Sequence, residues 1–224
     1  MGDAFVSLST LSFYDGGLPL VFGFVVGGAG TYAVWNASRL TPDKVAERGV
    51  SRTFQNIRLF QNMSVLHNVL VGMSGKHRTR FLDVLLRLPR YYREERMATA
   101  DATELLDFVG LKSHSTEKAS ALCYGDQRRL EIARALASQP RLLLLDEPAA
   151  GMNPTESESL VELIARIRDR GVTVMLIEHH MDVVMNISDR VTVLDYGKKI
   201  AEGTPLEVRQ NPKVIAAYLG VEEE

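Results

Sequence analysis

The sequence predicts an α/β fold built on a mainly parallel sheet, with a helical segment inserted into it. Three observations carry this expectation. Residues 141–148 read RLLLLDEP, and four consecutive leucines between Pro140 and Pro148 mark a strand buried on both faces, the habit of parallel sheets. A helix with an apolar stripe at Leu160, Leu163, Ile164 and Ile167 follows, then the apolar run VTVMLI at 172–177; strand, helix and strand succeed one another as in a right-handed crossover. From about Ser64 to Lys118, by contrast, helical patterning dominates.

Taken in chain order, Phe5–Leu11 (FVSLSTL) alternates as a short strand before the Asp15-Gly16-Gly17 turn. Leu18–Val26 reads as a buried strand that breaks into glycines, and Tyr32–Trp35 (YAVW) as another strand-like piece. DKVAERGV, after Thr41-Pro42, predicts a short helix stopped by Gly49. Phe54-Gln55-Asn56 opens the helical region. There, KHRTRFLDVLLRLPRYYREERM carries Lys or Arg at 76, 78, 80, 87, 90, 93 and 96, with Phe81, Val84, Leu85 and Leu88 at helical spacing. This reads as a solvated helical face, with a partner or membrane-surface patch as the alternative. Helix is expected over Ala100–Val109, ended by Gly110, and over Gln127–Leu136, closed by Pro140. TESE (155–158) has the spacing of a capping box, Gly197 marks a hairpin within 191–203, and Thr204-Pro205-Leu206-Glu207 and Asn211-Pro212 each start a helix.

Composition narrows the function. The 224 residues are 46% hydrophobic and 24% charged, the balance of an ordinary globular domain, with net charge −2 and a pI near 6.2. No overall basic field favours nucleic acid. The single cysteine, Cys123, excludes an internal disulfide and fits a reducing compartment, and no basic stretch precedes an apolar block at the N-terminus, so no secretory signal is expected. Gly16–Ser38 has no charged side chain and contains the GxxxG spacing GFVVG, which raises a membrane span as a reading. Against it stand glycines at 16, 17, 23, 27, 28 and 30, Pro19, and the shortness of Leu18–Val26, the most apolar part.

The chemistry-bearing residues fall at strand ends. Asp146 and Glu147 sit where the leucine strand reaches the carboxyl edge of its sheet, the edge at which α/β proteins bind ligands. Two adjacent acids there are costly to bury unless a cation or an attacking water uses them. In IEHHMD, His179 falls just past the next strand, beside those acids, and suits contact with a terminal phosphate; His180 suits a surface helix start. In LCYGDQRRLEIARAL, Gly125 opens a helix with Tyr124, Asp126 and Gln127 around it, offering free N–H groups and a positive dipole end to an anion.

These stretches resemble a known family. LCYGDQRRLEIARAL, LLLLDEPAAGMNP, TVMLIEHHMDVVM and SRTFQNIRLF are similar to the signature helix, Walker B strand with D-loop, switch-histidine region and Q-loop of ABC-type ATPases, and most of all to the ATP-binding subunits of branched-chain amino acid importers. The resemblance covers about Phe5–Gly220. It implies a P-loop NTPase-like core in one nucleotide-binding domain (1–224, core 1–60 and 119–224, helical subdomain about 61–118). It further implies ATP and Mg²⁺ as cofactors, transmembrane permease subunits and a second ATP-binding subunit as partners, no nucleic acid, and a place on the cytoplasmic face of the cell membrane. By position, Tyr14 would stack on adenine, Gln55 would touch Mg²⁺ and the attacking water, Asp146 would hold Mg²⁺, Glu147 would be the general base and His179 would contact the γ-phosphate. Tyr124, Gly125, Asp126 and Gln127 would close over the nucleotide of the opposite subunit. Asn153 takes the usual D-loop aspartate position, and Cys123 and Asp126 depart from the commonest signature wording.

The place of the family's P-loop, GxxxxGK followed by Ser or Thr, is occupied by FGFVVGGAGTY (22–32). Gly27, Gly28, Gly30 and Thr31 resemble that loop without its lysine, and with YAVW following directly, its helix is expected to be absent too. Without the lysine no fixed charge compensates the β and γ phosphates; Lys44 is not tied to the loop by sequence. Three readings follow: an ATP-hydrolysing importer subunit whose own site is rescued by a partner or that lends its signature loop to a partner's P-loop; a non-catalytic pseudo-ATPase with a structural or regulatory role; and a membrane-anchored protein.

Overall fold

The computed structural model describes residues 28, 31–32, 41–76, 85–86 and 88–219. The chain divides into two compact units, Met1–Val45 and Ala46–Glu224. In the first, Gly28, Thr31 and Tyr32 are exposed and helical. That corrects the strand expected at Tyr32 and runs against the expected absence of a helix after the glycines; four residues with aromatic and β-branched side chains are too few for propensity to decide between helix and strand. The strands expected at Phe5–Leu11 and Leu18–Val26, the remainder of YAVW and nearly all of Gly16–Ser38 lie outside the described residues. Among the described residues no helix is long and apolar enough to cross a membrane.

Helix α1 (Pro42–Glu47) ends before Gly49, whose φ of 82° only glycine adopts without strain. The Gly49 carbonyl then accepts from the backbone N–H groups of Arg141 and Leu142, which starts the sheet. β1 (Val50–Arg52), β2 (Leu142–Asp146) and β3 (Thr173–Ile177) are parallel in the order β1-β2-β3. β1 was not evident in the sequence. The register sets Val50 beside Leu142, and Asp146 beside Ile177, so the residues after β2 and β3 emerge together.

The region between β1 and β2 is helical, as the patterning predicts: α2 (Val65–Met73), α3 (Pro89–Val109) and α4 (Tyr124–Ala137), with short 3₁₀ turns between them. Ser64 caps α2 by accepting from the His67 N–H, and Gly110, in the left-handed region, closes α3. Val65 and Val69 of α2, Ala102 and Leu106 of α3, and Leu130, Ile132 and Ala133 of α4 share one core with Leu143 and Leu145 of β2. Arg90, Arg93 and Arg96 lie on the exposed side of α3, and Leu85 and Leu88 are exposed as well. Phe81 and Val84 lie outside the described residues.

α5 (Pro154–Asp169) connects β2 to β3 and buries Leu160, Leu163, Ile164 and Ile167, the stripe read from sequence. Its cap differs from expectation. Pro154 takes the first helical position, so the capping box joins Asn153 to Glu156 rather than Thr155 to Glu158. The sheet is also less buried than four leucines and VTVMLI imply. Leu143 and Leu145 are buried while Leu142 and Leu144 are half-buried, and Met175 and Ile177 of β3 are 56% and 53% exposed. β3 pairs only with β2 among the described residues, and its inward Val174 and Leu176 alone pack against the core.

After α6 (Met181–Ile187), β4 (Val191–Asp195) and β5 (Lys198–Gly203) form the expected antiparallel hairpin, turning at Tyr196 and Gly197, both with positive φ. α7 (Pro205–Arg209) carries the Thr204–Glu207 capping box, and α8 (Pro212–Leu219) ends the described chain.

Candidate functional site

The carboxyl ends of β2 and β3 bring candidate site residues together. Asp146 is the last residue of β2, its side chain 22% exposed, and its Oδ2 accepts from Arg52 Nη2 at 2.8 Å. Glu147 follows with φ of 44°, a left-handed conformation uncommon for a residue with a Cβ and characteristic of functional turns. Its N–H donates to the Ile177 carbonyl at 2.9 Å, which carries the sheet's pairing one residue beyond the strand. That twist turns the Glu147 side chain toward two partners. Gln55 Nε2 donates to Glu147 Oε2 at 2.8 Å, and His179 Nδ1 stands 3.8 Å from Glu147 Oε1. The structure thus brings Gln55, Glu147 and His179 together around the residue next to Asp146. A carboxylate held by an amide donor beside an imidazole, at a half-buried strand end, can take a proton from a water.

Two residues that sequence reasoning missed support this arrangement. Glu178, its side chain fully buried, accepts from the Ala149 N–H through Oε1 at 2.9 Å and from the His179 N–H through Oε2 at 3.3 Å. It ties the turn after β2 to the turn after β3. The signal available in the sequence was an acid placed directly after an apolar strand. Arg52, at the end of β1, is the other; nothing in its local sequence marks it.

The helix-start group forms a second cluster. Cys123 stands at the N-cap of α4 with no side-chain cap bond. Gly125 is buried, and a Cβ there would meet the Glu156 carboxyl at 3.3 Å. Tyr124 lies over Gly151, where a Cβ would be 3.6 Å from the ring. Gln127 Nε2 donates back to the Leu122 carbonyl at 3.0 Å, and Asp126 is half-buried in the first turn. Asn153 accepts from the Glu156 N–H, so its side chain serves α5 directly. Tyr14, Gly27 and Gly30 lie outside the described residues. Gly28, Thr31 and Lys44 belong to the first unit.

No three His, Cys, Asp or Glu side chains gather as a self-sufficient metal centre among the described residues. The donor set nevertheless suits a hard cation that takes most of its ligands from phosphate and water: the Asp146 carboxylate, whose second oxygen is not engaged by Arg52, and the Gln55 side-chain carbonyl, left over when the amide nitrogen donates to Glu147.

Comparison with known proteins gives the family. The high-affinity branched-chain amino acid transport ATP-binding protein LivG of Salmonella typhimurium is 47% identical over 195 residues, covering 87% of this chain and 76% of LivG. BraF of Pseudomonas aeruginosa, with the same description, is 49% identical over 178 residues, 79% of this chain and 70% of BraF. The ABC transporter family profile matches residues 29–150. The chain belongs to the ABC transporter family. A second profile, that of the branched-chain amino acid ATP-binding cassette transporters, matches 198–224 of this ABC chain. The crystal structure of the ADP conformation of MJ1267, an ATP-binding cassette of an ABC transporter, aligns with a TM-score of 0.66 at 32% identity, over 80% of this chain and 71% of that one. The fold of this ABC chain is therefore the P-loop NTPase-like α/β fold of ABC ATPase cassettes, as its sequence predicts, and its family is one of ATP-hydrolysing subunits.

Proposed function

We propose that this chain is the ATP-binding subunit of an ABC importer for branched-chain amino acids, acting at the cytoplasmic face of the cell membrane with transmembrane permease subunits and a second ATP-binding subunit. The observation that carries the reading is the convergence of Gln55 and His179 on Glu147 at the carboxyl end of β2. The naming of LivG and BraF as branched-chain amino acid transport proteins supports the substrate class. Nothing in these matches favours a purely structural or regulatory role.

In this reading Glu147 is the general base, Gln55 orients the attacking water, and His179 meets the γ-phosphate. Asp146, now in an exposed ion pair with Arg52, and the Gln55 carbonyl would hold Mg²⁺, which would supply charge neutralisation for the developing phosphate. Tyr14 stacks on adenine, and Gly27, Gly28, Gly30 and Thr31 take the phosphate loop's place. Tyr124, Gly125, Asp126 and Gln127, with Asn153 nearby, face the nucleotide of the second subunit. α2 and α3 serve as the helical subdomain between the two parts of the core.

The first lysine of the chain is Lys44, so no lysine lies within Phe22–Tyr32. We therefore assign full turnover to the assembled pair, in which this chain's α4 start also completes the partner's site. Titration of the purified chain with Mg²⁺-ATP, alone and with its permease and second ATP-binding subunit, tests this. Tight binding only in the assembly is the expected result; absence of binding and hydrolysis in the assembly overturns the proposal.

A further inference from the structure

The two clusters of the site are joined by one buried ion pair. Arg128 and Glu131, one turn apart on α4, have side chains 0% and 2% exposed and meet at 2.8 Å. Arg128 also donates to two successive carbonyls of the loop after β1, through Nη1 to Phe54 O and through Nη2 to Gln55 O, each at 2.8 Å. Glu131 Oε1 accepts from the Arg58 N–H at 3.3 Å. The loop between β1 and α2 has no regular secondary structure, and it is held at the sheet by Thr53 N–H on the Leu144 carbonyl and near α2 by Asn68 on both backbone groups of Phe60. Between those anchors, Arg128 and Glu131 grip the stretch that aims Gln55 at Glu147.

We infer that Arg128 and Glu131 are positioning residues: they fix the backbone of Phe54–Arg58 so that the Gln55 side chain reaches Glu147, and they tie that setting to the α4 end carrying Tyr124 and Gly125. The inference rests on the proposed ATPase reading. A planar guanidinium on two consecutive carbonyls fixes the two peptide planes that flank the Gln55 Cα, which a single-point ammonium does not. Stability alone is a poor reason for the pair. Buried ion pairs recover their desolvation cost only with complete hydrogen bonding, and Arg128 Nε and the nearby Thr53 hydroxyl are buried without a partner among the described residues. What the pair supplies is a fixed position. A contiguous path, from Glu131 through Arg128 and the Gln55 backbone to Glu147 and His179, then makes any shift of α4 felt at the carboxylate, the physical requirement for coupling one subunit's site to the other's.

The test uses Arg128→Lys, Gln55→Ala and the double substitution in the assembled transporter, with hydrogen exchange of the intact chain read in parallel. Expected are exchange at the Arg58 amide, whose N–H donates to Glu131, faster by about tenfold in Arg128→Lys, and kcat lower by about tenfold with the KM for ATP nearly unchanged. In the Gln55→Ala background, Arg128→Lys should cost no more than about a further twofold, because its effect passes through Gln55. The apolar pair Arg128→Met with Glu131→Leu should recover thermal stability without recovering kcat. Unchanged exchange at the Arg58 amide overturns the inference, as do additive losses in the double substitution or a recovered kcat in the apolar pair. Should the unsubstituted assembly hydrolyse no ATP, the functional proposal fails, while the exchange measurement still decides whether Arg128 holds the loop.

Discussion

Gln55 and Glu147, 92 positions apart in sequence, are joined by a 2.8 Å hydrogen bond in which the Gln55 amide nitrogen donates to Oε2. The bond exists because Glu147 takes a left-handed backbone turn immediately after β2, while a buried arginine on another helix holds the loop that bears Gln55. Backbone conformation and long-range polar contacts together therefore set where the Glu147 carboxylate points.

Replacing Glu147 by Gln keeps the shape and removes the proposed base. In the assembled transporter, turnover at this chain's own site is expected to fall by about 10²–10⁴-fold with nucleotide affinity retained. Single-turnover phosphate release, set beside an ATP-binding titration, measures both. Unaltered turnover would mean that this chain's carboxylate does no chemistry.

Gly72 lets α2 approach α4 closely. A Cβ at that position would collide with the Arg134 carbonyl and come within 2.9 Å of the Ala137 Cβ. Since backbone cannot swing aside as a flexible side chain does, Gly72→Ala is expected to cost about 3 kcal/mol, the upper end for overpacking. Urea unfolding of the chain reads this as a lower midpoint at an unchanged slope.

Asn153→Ala removes one half of the α5 capping box, leaving the Glu156 N–H without its side-chain acceptor. The expected loss is about 1 kcal/mol. Thr155→Ala, outside the box, should leave thermal stability nearly unaltered, so the pair of melts separates the two assignments of the cap.

The Thr204 N–H donates to Glu207 at 2.8 Å and is the first cause holding that carboxyl below the ordinary glutamate value. A lowered folded-state pKa stabilises at pH values above the ordinary one, and the contribution is lost as pH falls through the lowered value. The start of α7 should therefore loosen on acidification, and Glu207→Gln should remove that dependence. A side-chain NMR titration of Glu207, with amide exchange at Val208, follows it.

Those elements of the fold whose cause is local were legible in the sequence. The leucine run of β2, the Gly197 hairpin and the Thr204-Pro205-Leu206-Glu207 start each carry their own determinants within a few residues. β1 escaped because Val50–Arg52 is three residues long and owes its pairing to Leu142–Leu144, far along the chain. The α5 cap was misassigned by two positions because Pro154 fixes the first helical turn and shifts the box to Asn153. Within the site, Asp146, Glu147 and His179 were readable from strand ends. Arg128 and Glu131 were not: an acid and a base one turn apart describe a solvated helix face, and only contact with residues 54–58 makes them interior.

Met175 and Ile177 give the chain a further property. They present two apolar side chains, 56% and 53% exposed, on a strand that pairs only with β2 among the described residues. Handled alone at high concentration, the polypeptide is expected to associate through this exposed apolar pair. Light scattering of the isolated chain is thus expected to climb with concentration and to subside on Ile177→Lys, following two side chains outside the Gln55–Glu147–His179 group.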